Sequence, residues 1–250
     1  MRLCLAFMFQ DEEPWLRLHL PVLLTGPFAG IVALDGGSRD GSAAYVRSLG
    51  GTVVTRPFDG DFGAQGNCLI AACEQRGYES LLRTDPDELW WPADLQRIAA
   101  ALDTYHVVQV RRHNFVRDRR QVNPAWYPDW QGRAWRLHQG LRYSTRIHET
   151  LNFVELGLRL GTGDAPGEVG FLDQVHIYHY GWIEDLATRA LRYYNYERRA
   201  AGQPAVARYP PDAPPITYPP SVPFAGPQPL DPDVIGTRAP FPPAPVGGPS

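Results

Sequence analysis

Five short apolar runs, at residues 3–9, 31–35, 52–55, 80–84 and 107–111, punctuate the first 111 residues, with longer amphipathic stretches between them. Runs of that length separated by helical patterns dictate an α/β architecture around a largely parallel sheet. Gly66, Leu69, Ile70 and Cys73 recur at i, i+3, i+4 and i+7, as do Leu95, Ile98, Ala99 and Leu102 behind Pro92 in a first turn. A first helix over residues 14–24 contains Pro21, and an interior proline costs about 3 kcal/mol, so a kink is expected there. Another helix begins near Gly41, with Asp40 or Ser42 as its N-cap. Beyond residue 112 the chain is rich in Trp, Tyr and Arg and the periodicity fades, until residues 175–180 read as a strand. A last helix follows, with Ile183, Leu186, Ala187, Ala190, Leu191 and Tyr194 on one face.

The composition changes at Gly202: 16 of the 25 prolines follow it and 9 precede it. Such a segment makes neither helix nor central strand, and its Pro-Pro pairs favour extended polyproline conformation. Tyr209, Ile216, Tyr218, Val222 and Phe224 lie among those prolines, so the start of this tail, residues 203–250, is expected to lie against the domain and its end to be loose. A formal charge of −3 disfavours generic binding to nucleic acid or to a membrane surface. All 24 basic residues are arginine. Without lysine there is no P-loop, protein-kinase, Schiff-base or pyridoxal-phosphate chemistry. Cys4, Cys68 and Cys73 have no ligand-like spacing and argue against a disulfide framework. The apolar run at the start meets Asp11, Glu12 and Glu13 at once, which fits neither a signal peptide nor a membrane span, so a cytoplasmic location is expected.

In open α/β sheets ligands bind beyond the carboxyl ends of the strands. Carboxylates follow each of the first four: Asp11, Glu12 and Glu13; Asp35 before Gly36-Gly37-Ser38; Asp59 and Asp61; and Asp85-Pro86-Asp87-Glu88. Two carboxylates at i and i+2 on a turn leaving a buried strand can face one hard divalent cation, magnesium or manganese, with water and phosphate oxygens filling its shell. An Asp-x-Asp triplet alone reads equally as a solvated or helix-capping turn; the acidity of the whole rim is what points to a metal-bearing site. Trp90 and Trp91, then Trp126, Tyr127, Trp130 and Trp135, offer flat rings to a sugar face or to the core. Arg111, Arg112, Arg117, Arg119 and Arg120 read as a solvated hairpin.

The ordered segments FQDEEPWL, IVALDGGSRDGS, RPFDGDFGAQGN, LLRTDPDELWW, YPDWQGRAWR, RYSTRIHE and HIYHYGW, running from about residue 3 to 199, resemble the family 2 glycosyltransferases of the GT-A fold. The resemblance implies a Rossmann-like domain at residues 1–202, a mixed central sheet flanked by helices. Its nucleotide-sugar-binding half would be residues 1–104 and its acceptor half residues 105–202. It implies a hexosyltransferase-type enzyme that moves a sugar from a nucleotide diphosphate donor to a hydroxyl of a glycan, lipid or protein, with inversion and with a divalent metal (Mn2+ or Mg2+). By resemblance Asp11, Glu12 and Asp35 hold base and ribose, Asp61 is a further nucleotide contact, and Asp85 and Asp87 hold the metal on the diphosphate. Glu149 is the implied base and His179 the implied last metal ligand, with His176 and His148 as alternatives. Relatives carry Arg-Asn where this chain has Gly66-Asn67, leaving Arg83, Arg133 or Arg136 to replace that arginine. Two rivals stand beside this reading. A sugar nucleotidyltransferase would want a basic glycine-rich first loop and lysines that this chain lacks; a non-catalytic binding protein would dock partners through the proline-rich tail.

Overall fold

Strand β1 (Leu3–Phe9) is buried along almost its whole length, which is why it reads as a continuous apolar run. In the computed structural model, which describes residues 1–226 apart from 119, 128, 147–150, 154–157, 160–168, 184–185 and 214–219, it is an inner strand of the main sheet. Helix α1 (Glu13–Leu23) returns the chain to β2 (Gly30–Asp35), α2 (Ser42–Ser48) to β3 (Thr52–Thr55), and α3 (Phe62–Gln75) to β4 (Ser80–Thr84). β1 pairs in parallel with both β2 and β4, and β2 with β3. After β4 the chain reverses into β5 (Glu88–Trp90), crosses α4 (Pro92–Ala101), and enters β6 (Val107–Val116), β7 (Gln121–Val122) and β8 (Asp129–Arg136). β8 inserts antiparallel between β4 and β6, which makes the sheet mixed.

A small second sheet joins β9 (Leu141–Tyr143), β10 (Leu151–Phe153) and β11 (Leu158–Arg159). β12 (Val169–Trp182) then runs parallel to β6 and antiparallel to β5; α5 (Leu186–Ala200) and the edge strand β13 (Val222–Pro223) complete the order. Alternate residues of β1 face two layers. Leu5 and Phe7 pack with Leu16 and Leu20 of α1 and Leu95 and Ile98 of α4, while Cys4 and Ala6 meet Leu69, Ile70 and Cys73 of α3. Each fully buried Leu or Phe here contributes about 2–3 kcal/mol.

The expected elements are present with particular differences. α1 runs unbroken through Pro21 to Leu23, with the proline in its last turn. The N-cap of α2 is Gly41, neither Asp40 nor Ser42: Asp40 accepts from the Ser42 amide at 2.9 Å, and the Ser42 hydroxyl accepts from the Glu12 amide instead. The fifth strand extends from residue 111 to Val116 through Arg112, His113 and Asn114, and the late strand widens to 169–182. The tail docks where it is described, Val222 and Pro223 pairing with β7 and Asn195 of α5 exchanging two hydrogen bonds with Val206, while Ile216 and Tyr218 lie outside the described residues. Its end lies outside the described residues. The three cysteines are free thiols, and the hydrogen bond with Cys4, then burial, push the Cys73 thiol far up. No described helix is long and apolar enough to cross a membrane.

Candidate active site

A cleft of about 520 Å³ opens beyond the carboxyl ends of β1, β2 and β4. Two acidic turns build its rim, and their carboxylates hold backbone amides. Asp11, at φ 56°, accepts from the Arg39 and Asp40 amides at 2.6 and 3.3 Å; Glu13 accepts from Gly41 at 3.0 Å. Asp35 is buried and accepts from Gly37 and Ser38 at 2.9 and 2.7 Å, closing the turn that Gly37 allows with φ 101°. Asp61 caps α3 by accepting from Ala64 at 2.8 Å. Glu12, Asp85, Asp87 and His179 line the cleft together, whereas Asp11, Asp35 and Asp61 lie outside its lining. Glu149 and His148 lie outside the described residues. His176 sits elsewhere, its backbone amide near Asp94 and its ring against His113.

The Asp85-Pro86-Asp87 turn is closed by the Glu88 amide donating to Asp85 O at 3.0 Å, and it splits the two aspartates between different tasks. Asp85 is gripped by guanidinium groups: Arg83 at 3.2 Å and Arg133 at 3.0 Å. Burial by itself would raise its pKa, but Arg83, then Arg133 and Arg112, outweigh it and hold the carboxyl well below the usual carboxylate range. Glu88, fully buried, shares Arg133 with Asp85 and has Arg112 at 3.5 Å. Asp87 instead faces β12. Tyr180 donates its amide to Asp87 O at 2.9 Å, which brings His179 Nε2 to 3.5 Å from Asp87 Oδ2.

His179 is oriented from behind. Asn114 donates through Nδ2 to Asp129 at 3.0 Å, so its Oδ1 is the atom that meets His179 Nδ1, at 2.7 Å, and accepts a hydrogen from it. Asp129 is anchored in turn by Arg112 at 2.8 Å and Gln131 at 2.6 Å. Nε2 is thereby left toward Asp87, the arrangement in which a histidine serves as a ligand. Gly181 adds an independent observation, because a Cβ built there would overlap Asp87 Oδ2 and come within 2.6 Å of His179 Nε2. The missing side chain leaves open the space that both donors face. Among the described residues no three His, Cys, Asp or Glu side chains close on one point. One carboxylate and one imidazole fit a hard cation whose remaining positions go to water and phosphate oxygens.

Of the three arginines expected to replace the one absent at Gly66, Arg83 and Arg133 are in the site, while Arg136 bonds Leu102 O and Asp103 O away from it. The Tyr143 ring occupies the space beside Gly66, and its hydroxyl accepts from Arg83 at 2.9 Å. Trp90 and Trp135 are core residues; Trp90 Nε1 donates to Thr84 at 3.0 Å. Arg112 belongs to the ion-pair web, where a solvated hairpin was expected. Glu88 was expected only as part of the acidic turn, and Asn114, Asp129 and Gly181 were not among the expected site residues. Gly181 falls just past the strand read at 175–180, and only the longer observed strand places this glycine inside β12, where it marks close approach.

The fold is the GT-A architecture, which this chain shares with solved structures of low sequence identity. S. aureus TarS 1–349 in complex with UDP-GlcNAc superposes with a TM-score of 0.52 at 13% identity, over 81% of this chain and 66% of that one. A longer S. aureus TarS structure matches at 0.51 and 14% identity, over 77% of this chain and 39% of its own, and a structure described as a mycobacterial protein at 0.50 and 14%, over 81% and 75%. This chain thus spans between about two fifths and three quarters of the structures it matches. No protein-family model matches the sequence.

Proposed function

We propose that this protein is a metal-dependent glycosyltransferase that moves a sugar from a nucleoside diphosphate to an acceptor hydroxyl with inversion. Residues 1–104 would supply the donor half, residues 105–202 the acceptor half, and 203–250 the tail. The observation that carries the reading is the pair of Asp87 and His179 across the opening at Gly181, on the rim of a cleft at the strand ends. Asp87 and His179 would hold the cation, which when bound neutralises charge growing on the departing diphosphate. Arg83, on the cleft wall, brings a fixed guanidinium to the same charge in a chain that has no lysine. Asp85 keeps Arg83 and Arg133 in place. Glu149, assigned by resemblance, takes the acceptor's proton as that oxygen bonds the anomeric carbon and the bond from that carbon to the diphosphate oxygen breaks. Asp11, Glu12, Asp35 and Asp61 belong to the nucleotide end in this reading, Glu12 lining the cleft and the others shaping its loops. TarS, with UDP-GlcNAc bound, supports a nucleotide-sugar donor of that kind.

Calorimetric titration with UDP, GDP, dTDP and CDP, with and without manganese, tests this. One nucleotide should bind in a manganese-dependent way, and both Asp87→Ala and Gly181→Ala should lower its affinity at least tenfold with manganese and little without it. Binding indifferent to manganese in the wild type, or unaffected by both substitutions, would remove the assignment.

A further inference from the structure

Arg83 reaches the cleft from β4, and the alternation of that strand decides what it meets on the way. Leu82 packs into the layer of α1 and α4, whereas Leu81 packs with Trp135 and Tyr143 in the layer of α3 and the small sheet. Arg83 shares the face of Leu81 and is buried, so its guanidinium passes through an apolar layer before it joins the cleft wall. A charge placed there needs hydrogen-bond partners. Two come from different elements: the Tyr143 hydroxyl of β9 accepts from Nη1 at 2.9 Å, and Asp85, on the turn after β4, accepts from Nη2 at 3.2 Å. An anchor on each terminal nitrogen fixes the plane of the guanidinium, whereas an ion pair with Asp85 alone would let it turn.

Tyr143 is itself held from several sides. Its amide donates to Asn67 Oδ1 at 2.8 Å, its carbonyl accepts from Asn67 Nδ2 at 2.9 Å, and Trp135 meets its ring edge-on with centroids 6.3 Å apart. The ring fills the space beside Gly66, where a Cβ would overlap it. An arginine at that position, which the resembling family carries, would displace the ring; Gly66, Tyr143 and Arg83 therefore form one unit. The hydroxyl is neutral, so it orients the guanidinium without cancelling its charge, as the carboxylate on the other side does. Tyr143 stands behind the wall that Arg83 lines, and its route to a bound ligand runs through that arginine.

We propose that Tyr143 is a positioning residue for the donor diphosphate: it holds the Arg83 charge at the cleft wall, so that part of the diphosphate binding is built into the protein and does not need the cation. The inference rests on the glycosyltransferase reading above. A guanidinium fixed in advance costs no reorganisation when charge arrives or develops beside it.

Calorimetry on the full chain with UDP, GDP, dTDP and CDP, with and without manganese, tests it on the wild type, Tyr143→Phe, Arg83→Gln and the double variant. Tyr143→Phe keeps the ring beside Gly66 and removes only the acceptor, so the packing of β9 on α3 is retained. Its affinity for the nucleotide that binds should fall at least about fivefold, by the same factor with manganese and without it. Arg83→Gln should lower affinity at least as far, and adding Tyr143→Phe to it should change affinity by less than about twofold, because residues that act as a unit are not additive. Wild-type affinity in Tyr143→Phe, or losses that multiply in the double variant, overturns the inference and leaves the function standing. A loss seen only with manganese would route Tyr143 through the metal site and overturns it as well. A wild type that binds none of the four nucleotides removes the glycosyltransferase reading and this inference with it.

Discussion

Arg133 is 3% exposed and lies between two carboxylates, Asp85 and the fully buried Glu88. Its Nη2 donates to both acids, and a composition with arginine in every basic position supplies that guanidinium. A buried ion pair need not stabilise a fold relative to apolar residues, but removing one member strands the other, at about 3–5 kcal/mol. Arg133→Ala leaves Glu88 with Arg112 at 3.5 Å and deprives Asp85 of one of its two clamps. Urea denaturation should therefore show Arg133→Ala destabilised by at least about 3 kcal/mol, with Arg133→Lys recovering less than half of the loss. A loss below about 1 kcal/mol would mean that water reaches Glu88 and that the web is not dry.

At the scale of elements, α3 lies against the small sheet through its glycines. A Cβ at Gly66 would overlap the buried Tyr143 ring, and one at Gly63 would overlap Thr145 O. Asn67 fixes the same approach by exchanging hydrogen bonds with the Tyr143 backbone at 2.8 and 2.9 Å. Helix propensity alone makes Gly→Ala stabilising by about 1 kcal/mol. Overpacking a buried ring costs about 1–3 kcal/mol, so the packing term wins. Gly66→Ala should lower the thermal midpoint and loosen Arg83, whose partner is the Tyr143 hydroxyl; a raised midpoint would show that β9 can retreat. The glycine at this position was visible in the sequence as a departure from the resembling family, but its partner was not. The same divide runs through the fold. β1 to β4 and the helices between them were legible because parallel strands buried on both faces leave plain apolar runs. β6 and β12 were legible only in part, because Arg112, His113 and Asn114 interrupt the apolar pattern of the one and Asp173 and Gln174 that of the other. Asp85 and Asp87 could be read from their place after a strand. Asn114 and Asp129 could not, since what joins them is antiparallel register between β6 and β8, which pairs Arg112 with Asp129.

Across the whole molecule, the returning tail is tied to β6 through a titratable group. Phe224 sets its ring 5.0 Å from His113 and 5.3 Å from Phe115, and His113 in turn stacks on Tyr127 at 4.7 Å, with planes 6° apart. Burial, then His176 and Arg111, push the His113 pKa down to about 4. His176 is pushed down too, chiefly by burial, although Asp94 works the other way. For a base whose folded pKa lies below its unfolded value of about 6.5, the unfolded chain binds the extra proton. Stability is therefore complete above about pH 6.5 and declines as the pH falls toward 4. At pH 5 the ideal penalty from His113 alone is about 2 kcal/mol, reduced to about 1–2 for a ring that is partly exposed. Asp85 and Asp129, both held below the usual carboxylate range, add to the decline only below about pH 5, where the unfolded chain begins to protonate them. Chemical denaturation at pH 7.5 and pH 5 should show this loss in the wild type. His113→Phe keeps a flat ring for Tyr127 and Phe224 and removes the proton, so its stability should change by less than half as much between the two pH values. An equal acid loss in His113→Phe would transfer the effect to His176 and leave the tail contact insensitive to pH.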